Sequence, residues 1–125
     1  LKAVTLDAIA RYPIITYDDG LTGRPRIDHA FHKAGLAPEV ALSALDADVI
    51  KAYVELGMGV GIIASMAFDA ERDGGLRCLN TPGLFESNTS SIAVRRGRFL
   101  RGYAYRFIEM CAPAVTEARI RAALR

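Results

Sequence analysis

Tryptophan is missing from this 125-residue chain, and cysteine occurs only at Cys78 and Cys111. The two thiols lie far apart without a CxxC pair, so neither a zinc knuckle nor a redox motif is in view. Apolar neighbours flank each of them, and buried free thiols in a reducing, cytoplasmic compartment are the expectation. No stretch approaches the roughly 20 apolar residues that a membrane-spanning helix needs. Leu1-Lys2-Ala3 runs directly into helical sequence, without the basic and apolar blocks of a signal peptide. The first residue is not Met, which points to a piece of a longer protein or a processed form. Neither sign of charge dominates, with 16 Lys and Arg against 14 Asp and Glu. A net charge of +2 is too small to advertise nucleic-acid binding by itself. Repeats and low-complexity tracts are absent, and so are GxSxG and any Ser–His–Asp pattern, which leaves enzyme chemistry little footing.

What is present is a core-forming composition, 51% apolar, in a chain of one-domain size. The positive charge is uneven: Arg95, Arg96, Arg98, Arg101, Arg106, Arg119, Arg121 and Arg125 all fall in the last third. No recognition helix with a turn of the right length accompanies them, so this chain alone is not expected to bind a promoter specifically. Along the chain, strand-like and helix-like patterns alternate. Thr5 caps a short helix to about Arg11, before Pro13. "IITY" over 14–17 is a buried strand candidate, followed by the turn "DDGLTGRP" and a helix over 24–34. A strand over 39–44 leads to a helix over 46–56 capped by Asp46, then a strand over 60–64. Ser65 is expected to cap a helix to about Glu71. "LRCLN" and "SIAVRRG" read as short strands, a helix follows over 99–111, and a last one starts at Thr116. Alternation of this kind calls for an α/β fold, a parallel or mixed sheet with helices on both faces.

The glycine-rich stretch "ELGMGVGII" invites comparison with a phosphate cradle. A dinucleotide fingerprint runs strand, glycines, helix, because the amino end of the helix offers free amides. Here the helix comes first, so Gly57, Gly59 and Gly61 meet its carboxyl end, where carbonyls repel phosphate. Gly57 is expected to close the helix in the left-handed conformation, and Gly59 and Gly61 to permit close approach of strand and helix.

The geometry that stretch lacks is offered by "GLTGR", Gly20 to Arg24, which follows a strand and opens a helix. Amides of Leu21, Thr22 and Gly23 could converge with the Thr22 hydroxyl on a small anion, with Arg24 near enough to add charge. The plain alternative makes Thr22 a cap and the glycines a turn. His29 and His32 sit three apart on one helix without an accompanying acid or thiol, and read as a solvated face rather than a metal site. Asp18 and Asp19 read as part of the turn before Gly20. No metal site and no cofactor is expected.

Two segments, "YPIITYDDGLTGRPRIDHAFHKAGLAPEVALSALDADVIKAYVELGMGVGIIASMAFD" and "RRGRFLRGYAYRFIEMCAP", closely resemble the CysB-type subgroup of LysR-type transcriptional regulators. "DADVIK", the glycine stretch and "TGR" carry the most specific part of the likeness. Leu45 stands where the subgroup usually has Thr, and Asp18-Asp19 where it tends to be uncharged. The resemblance implies a regulator whose DNA-binding winged helix lies outside this chain, and whose effector domain resembles a periplasmic binding protein. On that footing residues 1–87 are expected to form the second lobe, 88–91 a crossover hinge, and 92–125 the tail of the first lobe. The implied ligand is an interlobe anion or inducer such as sulfate or an acetylserine, with Thr22 as the matching contact. Thr16, at the end of its strand, is a further cleft candidate beside Gly20, Leu21 and Gly23. The family likeness also implies homodimers or homotetramers and a role in sulfur metabolism and cysteine biosynthesis. A solute-binding lobe of a transport or storage protein, with no DNA partner, is the alternative.

Overall fold

A computed structural model describes residues 4–124. Contacts divide the chain into two compact units, Leu1–Asn88 and Thr89–Arg125. In the first unit the order is α1 (Leu6–Ile9), β1 (Ile14–Tyr17), α2 (Arg24–Lys33), β2 (Val40–Ala44), α3 (Ala47–Glu55) and β3 (Val60–Gly61). The three strands form one parallel sheet in the order β2-β1-β3.

The central strand explains the rest. Ile14, Ile15 and Thr16 are β-branched, which suits a pleated strand, and all three are fully buried. Successive side chains on a strand point to opposite faces. Ile14 accordingly packs with Ile9, Ile27, Phe31 and Ile62 on the face covered by α1 and α2. Ile15 packs with Ala44 and Ile50 on the face covered by α3. Parallel strands require crossovers, and each crossover here carries one helix. The first moves from β1 to β2; the second returns past β1 to β3, so the two helices cover opposite faces.

The expected strands and helices are present with tighter ends. Thr5 and Asp46 cap as anticipated, accepting from the amides of Ala8 and Val49. Gly57 takes a left-handed φ of 79°. A Cβ on Gly59 would stand 2.3 Å from the Pro13 carbonyl oxygen, and one on Gly61 2.8 Å from Val54 Cγ2. The glycine stretch is therefore close-packed punctuation, as the element order required.

Several expectations need correction. Ser65 caps no helix to Glu71; only a 3-10 turn, Ser65–Ala67, forms, with Ala64 as its cap residue and no side-chain cap. "LRCLN" and "SIAVRRG" are not strands among the described residues, because a strand needs a neighbouring edge to pair with and these runs have none. Cys78 and Cys111 are exposed, not buried. Their apolar neighbours in sequence do not fold over them.

The second unit holds α4 (Gly102–Cys111) and α5 (Glu117–Ala123). The first of these begins three residues later than the apolar pattern suggested. Thr116 caps α5 as expected. Tyr105, Ile108 and Ile120 form a small core, and the Arg121 guanidinium lies 4.8 Å from the Tyr105 ring centre. Phe99, Tyr103, Phe107 and Met110, spaced by four, four and three, leave an apolar stripe exposed.

The Gly59 contact gives a direct test. Gly59→Ala forces the added methyl against a backbone carbonyl and is expected to destabilise the chain by about 1–3 kcal/mol, the usual cost of overpacking. A urea midpoint for the variant beside Gly20→Ala, where a Cβ meets nothing within 4 Å, separates the clash from the loss of glycine itself.

Candidate functional site

Ligands of open α/β sheets bind outside the carboxyl ends of the strands, where the crossovers diverge. In this sheet that place lies between the ends of β1 and β3. Two segments border it, the loop 18–23 after β1 and residues 62–65 after β3.

The two segments are tied together by β1 itself. Thr16, fully buried, donates its hydroxyl proton to the Ile62 carbonyl at 3.0 Å, extending the contact beyond the short ladder. The side chain is thus sealed from solvent, with its proton already engaged. Tyr17 Oη accepts the Ala64 amide at 3.0 Å. The Tyr17 ring lies under Gly23, whose Cβ, if present, would meet ring carbons at 3.5 and 3.7 Å.

The loop supplies donors selectively. The Leu21 amide donates to the Asp18 carbonyl and the Arg24 amide to the Leu21 carbonyl, closing two successive turns. The Leu21 amide is therefore unavailable to a ligand, contrary to expectation. The amides of Gly20, Thr22 and Gly23 have no backbone acceptor among the described residues. α2 begins at Arg24, with Gly23 in the cap position and no side-chain cap. Thr22 is exposed, and its hydroxyl does not cap the helix. The capping alternative for Thr22 is thereby not what the geometry adopts. Pro25, at the first helical turn, has no amide to satisfy.

Arg24 does not add free charge to the loop. Its Nη1 donates to the Tyr17 carbonyl at 2.9 Å and pairs with Asp19 at 3.0 Å, while Nε contacts both oxygens of Asp28. The guanidinium buckles the strand end, the loop and the helix together, and two carboxylates neutralise it. The remaining donors are neutral hydroxyls and amides at the positive end of a helix dipole. Such a set can hold a small oxyanion; it offers no nucleophile and no general base. His29 and His32 are both exposed on α2, and no cluster of metal-ligating side chains occurs among the described residues.

At the same edge, α3 is fastened to the segment after β3 by a group the sequence reading missed. Lys51 Nζ contacts Asp73, Asp48 and the Ala67 carbonyl, each at 3.0 Å. The Lys51 and Asp73 side chains are only 10% and 11% exposed. Its one signal in the sequence is a lysine inside an otherwise apolar helical stretch, which ordinarily means a solvated face.

Against this geometry, the comparisons with known proteins are specific. The family model described as "LysR substrate binding domain" matches residues 1–116. The chain belongs to the LysR substrate-binding domain family. A regulator named SsuR from Burkholderia cenocepacia is 58% identical over 122 residues, covering 98% of this chain and 40% of that protein. One named CysB from the same organism is 51% identical over 124 residues, covering 99% and 40%. The crystal structure of the cofactor-binding domain of the Cbl transcriptional regulator superposes with a TM-score of 0.83 at 40% identity, covering 99% of this chain and 54% of that one. The α/β, periplasmic-binding-protein-like fold expected from the resemblance therefore holds. The chain spans about two-fifths of the length of the curated relatives it matches. Those LysR-type relatives are named as transcriptional regulators rather than as enzymes or transport proteins.

The Lys51 cluster carries a pH prediction for this LysR domain. The Asp69 amide, and then Lys51, hold the Asp73 carboxyl below its ordinary value; the hydrogen bonds Lys51 donates to Asp48, then to Asp73, raise the pKa of its ammonium. The Asp73 contribution to stability is complete above the unfolded carboxylate value of about 3.9 and fades as pH falls through the lowered folded value. The Lys51 contribution is complete below about 10.4 and fades as pH rises through the raised folded value. Melting temperature is expected to be flat with respect to this pair between those limits. Lys51→Met lowers the plateau, and Asp48→Asn, whose side chain is 77% exposed, lowers it less. Thermal melts across the pH range check both the ordering and the plateau.

Proposed function

We propose that this chain is the effector-sensing part of a cytoplasmic LysR-type regulator of sulfur metabolism, reading a small oxyanion or inducer such as sulfate or an acetylserine. The observation that carries the reading is the uncapped start of α2: among the described residues the Thr22 hydroxyl and the Thr22 and Gly23 amides have no acceptor, at the carboxyl edge of a parallel sheet. Neutral donors suit sensing. They bind an anion without a fixed countercharge, so the anion leaves when its concentration falls. Gly20 lends the loop its turn, while Leu21 and Thr16 act through the loop and the sheet rather than by their own donors. The likeness to regulators named CysB and SsuR supports the sulfur-related setting and weighs against the transport or storage alternative.

In this reading residues 1–87 are the second lobe, 88–91 the crossover, and 92–125 the returning tail of the first lobe. DNA contact is assigned to a domain outside this chain. Homodimers or homotetramers are the proposed assembly. Val49 on α3 and Leu45 and Leu56 just beyond its two ends remain exposed while Ile50 and Val54 pack against the sheet, giving a second copy apolar surface to cover. Leu56→Glu is expected to shift the protein toward monomer in light scattering. An unchanged mass would remove that strip from the interface.

The ligand reading is tested by Thr22→Ala in the full-length regulator. A hydrogen bond to a charged partner is worth roughly 1.5–3 kcal/mol. The variant is expected to bind sulfate or acetylserine about one to two powers of ten more weakly by calorimetry, with its ligand-free melting temperature preserved. Unchanged affinity for both ligands would take Thr22 out of the site.

A further inference from the structure

The second unit leaves apolar surface uncovered on two opposite sides of α4. On one side Tyr105 and Ile108 meet Ile120 of α5 and Val94. A groove continues that side, lined among others by Ile92, Val94, Val115 and Ile120. The other side carries Tyr103, Phe107 and Met110, with Phe99 just ahead of the helix; they are 72%, 66%, 73% and 87% exposed. At about 100° per residue, Phe107 stands roughly 200° around the axis from Tyr105, with Tyr103 and Met110 about 40° and 60° from Phe107. A segment that extended the small core would enter on the groove side and leave this stripe bare.

Spacing, area and charge each bear on what covers the stripe. The steps of four and three from Tyr103 to Phe107 to Met110 form the repeat by which one helix seats along another. Aromatic side chains bury about 150–250 Å² each, so the four exposed residues offer roughly 600 Å² from one copy. Two copies of the same stripe together supply about 1,200 Å², the lower end of specific protein interfaces. Charge then selects the orientation. Arg95, Arg96, Arg98 and Arg101 are exposed, and all precede α4. Parallel pairing would bring the two arginine clusters together. Antiparallel pairing sends each toward the carboxyl end of the other α4, where free carbonyls favour cations. Arg106, beside the stripe, is paired with Glu109 of its own helix at 3.6 Å.

We propose that the outer side of α4 is a self-association surface, on which a second copy of this chain lays its own α4 antiparallel across a two-fold axis near Phe107. The proposal rests on the homotetramer reading given above. A tetramer built from two-fold contacts needs two different interfaces on every subunit, and the exposed surface around Val49 and Leu56 serves only one of them. About the α4 axis Phe107 meets its own counterpart. Tyr103 meets Met110 of the second copy, an aromatic–sulfur contact that a thioether accommodates well. The pairing is isologous, so it closes on itself and leaves no stripe open to a third copy.

The experiment uses the full-length regulator. Its mass is measured by sedimentation velocity for the parent, Phe107→Glu and Leu56→Glu, with circular dichroism confirming that each is folded. Phe107→Glu is expected to halve the mass of the assembly, because a carboxylate on the two-fold axis faces its own copy. Leu56→Glu reports on the other interface, so loss of mass in one variant and not the other says which surface associates. A second arm reads proximity directly. Under mild oxidation Phe107→Cys is expected to give a covalent dimer, with a 107–107 linked peptide found by mass spectrometry. Met110→Cys is expected not to link to its counterpart, since antiparallel axes set the two about 9 Å apart along the helix, too far for a disulfide. An unchanged mass for folded Phe107→Glu, or no 107–107 link, overturns the proposal. Links at both positions mean parallel pairing and overturn it equally. If Phe107→Glu fails to fold, the stripe packs within its own chain, and absence of the 107–107 link confirms that against the proposal. A parent that sediments as a dimer removes the tetramer reading alone; the α4 contact then stands or falls on whether Phe107→Glu gives monomers.

Discussion

Burial of β1 on both faces is the constraint from which the first unit follows. A strand with no solvent face must pair its backbone on both edges and pack its side chains in both directions. β2 and β3 fill the two edges in parallel, and α2 and α3 fill the two faces. Parallel pairing brings the carboxyl ends of β1 and β3 to the same side. The crossovers diverge there, with the loop 18–23 and the start of α2 beside the strand end. The placement of the loop 18–23 is thus a consequence of how the sheet closes its core.

The same economy governs the polar groups at that edge. Where the β1–β3 ladder stops after two pairs, side chains of β1 carry it on: Thr16 to the Ile62 carbonyl and Tyr17 to the Ala64 amide. Arg24 joins the strand end to the loop and helix, and Lys51 fastens α3 to the segment after β3. These links rigidify the rim while leaving neutral donors on the loop facing outward. If the loop holds an anion as proposed, a rim preorganised in this way needs little rearrangement to receive it, and little of the binding free energy is lost to ordering it.

The second unit obeys different conditions. Its core is three buried side chains from two helices, and Tyr103, Phe107 and Met110 of α4, with Phe99 just before it, are exposed to solvent. "SIAVRRG" has strand composition but no edge to pair with among the described residues. Composition therefore named the conformation it would adopt beside a neighbour. The exposed thiols teach the same lesson, because apolar neighbours in sequence bury a cysteine only if the chain folds back over it.

Local signals determined a good deal here. Thr5, Asp46 and Thr116 cap their helices because a side-chain oxygen next to free amides needs no tertiary partner. The order helix, glycines, strand excluded a phosphate cradle at Gly57–Gly61, since the dipole sign follows from order alone. The α/β class followed from alternation, and the family from the motifs around "TGR" and "DADVIK". Tertiary structure alone decided which donors are free. The Leu21 amide is engaged by a turn, and Arg24 is neutralised by Asp19 and Asp28. Lys51 reads as a surface residue on its helix until Asp73 arrives beside it. Hydrogen-bond satisfaction depends on distances between residues remote in the chain, and no periodicity in the sequence encodes those distances.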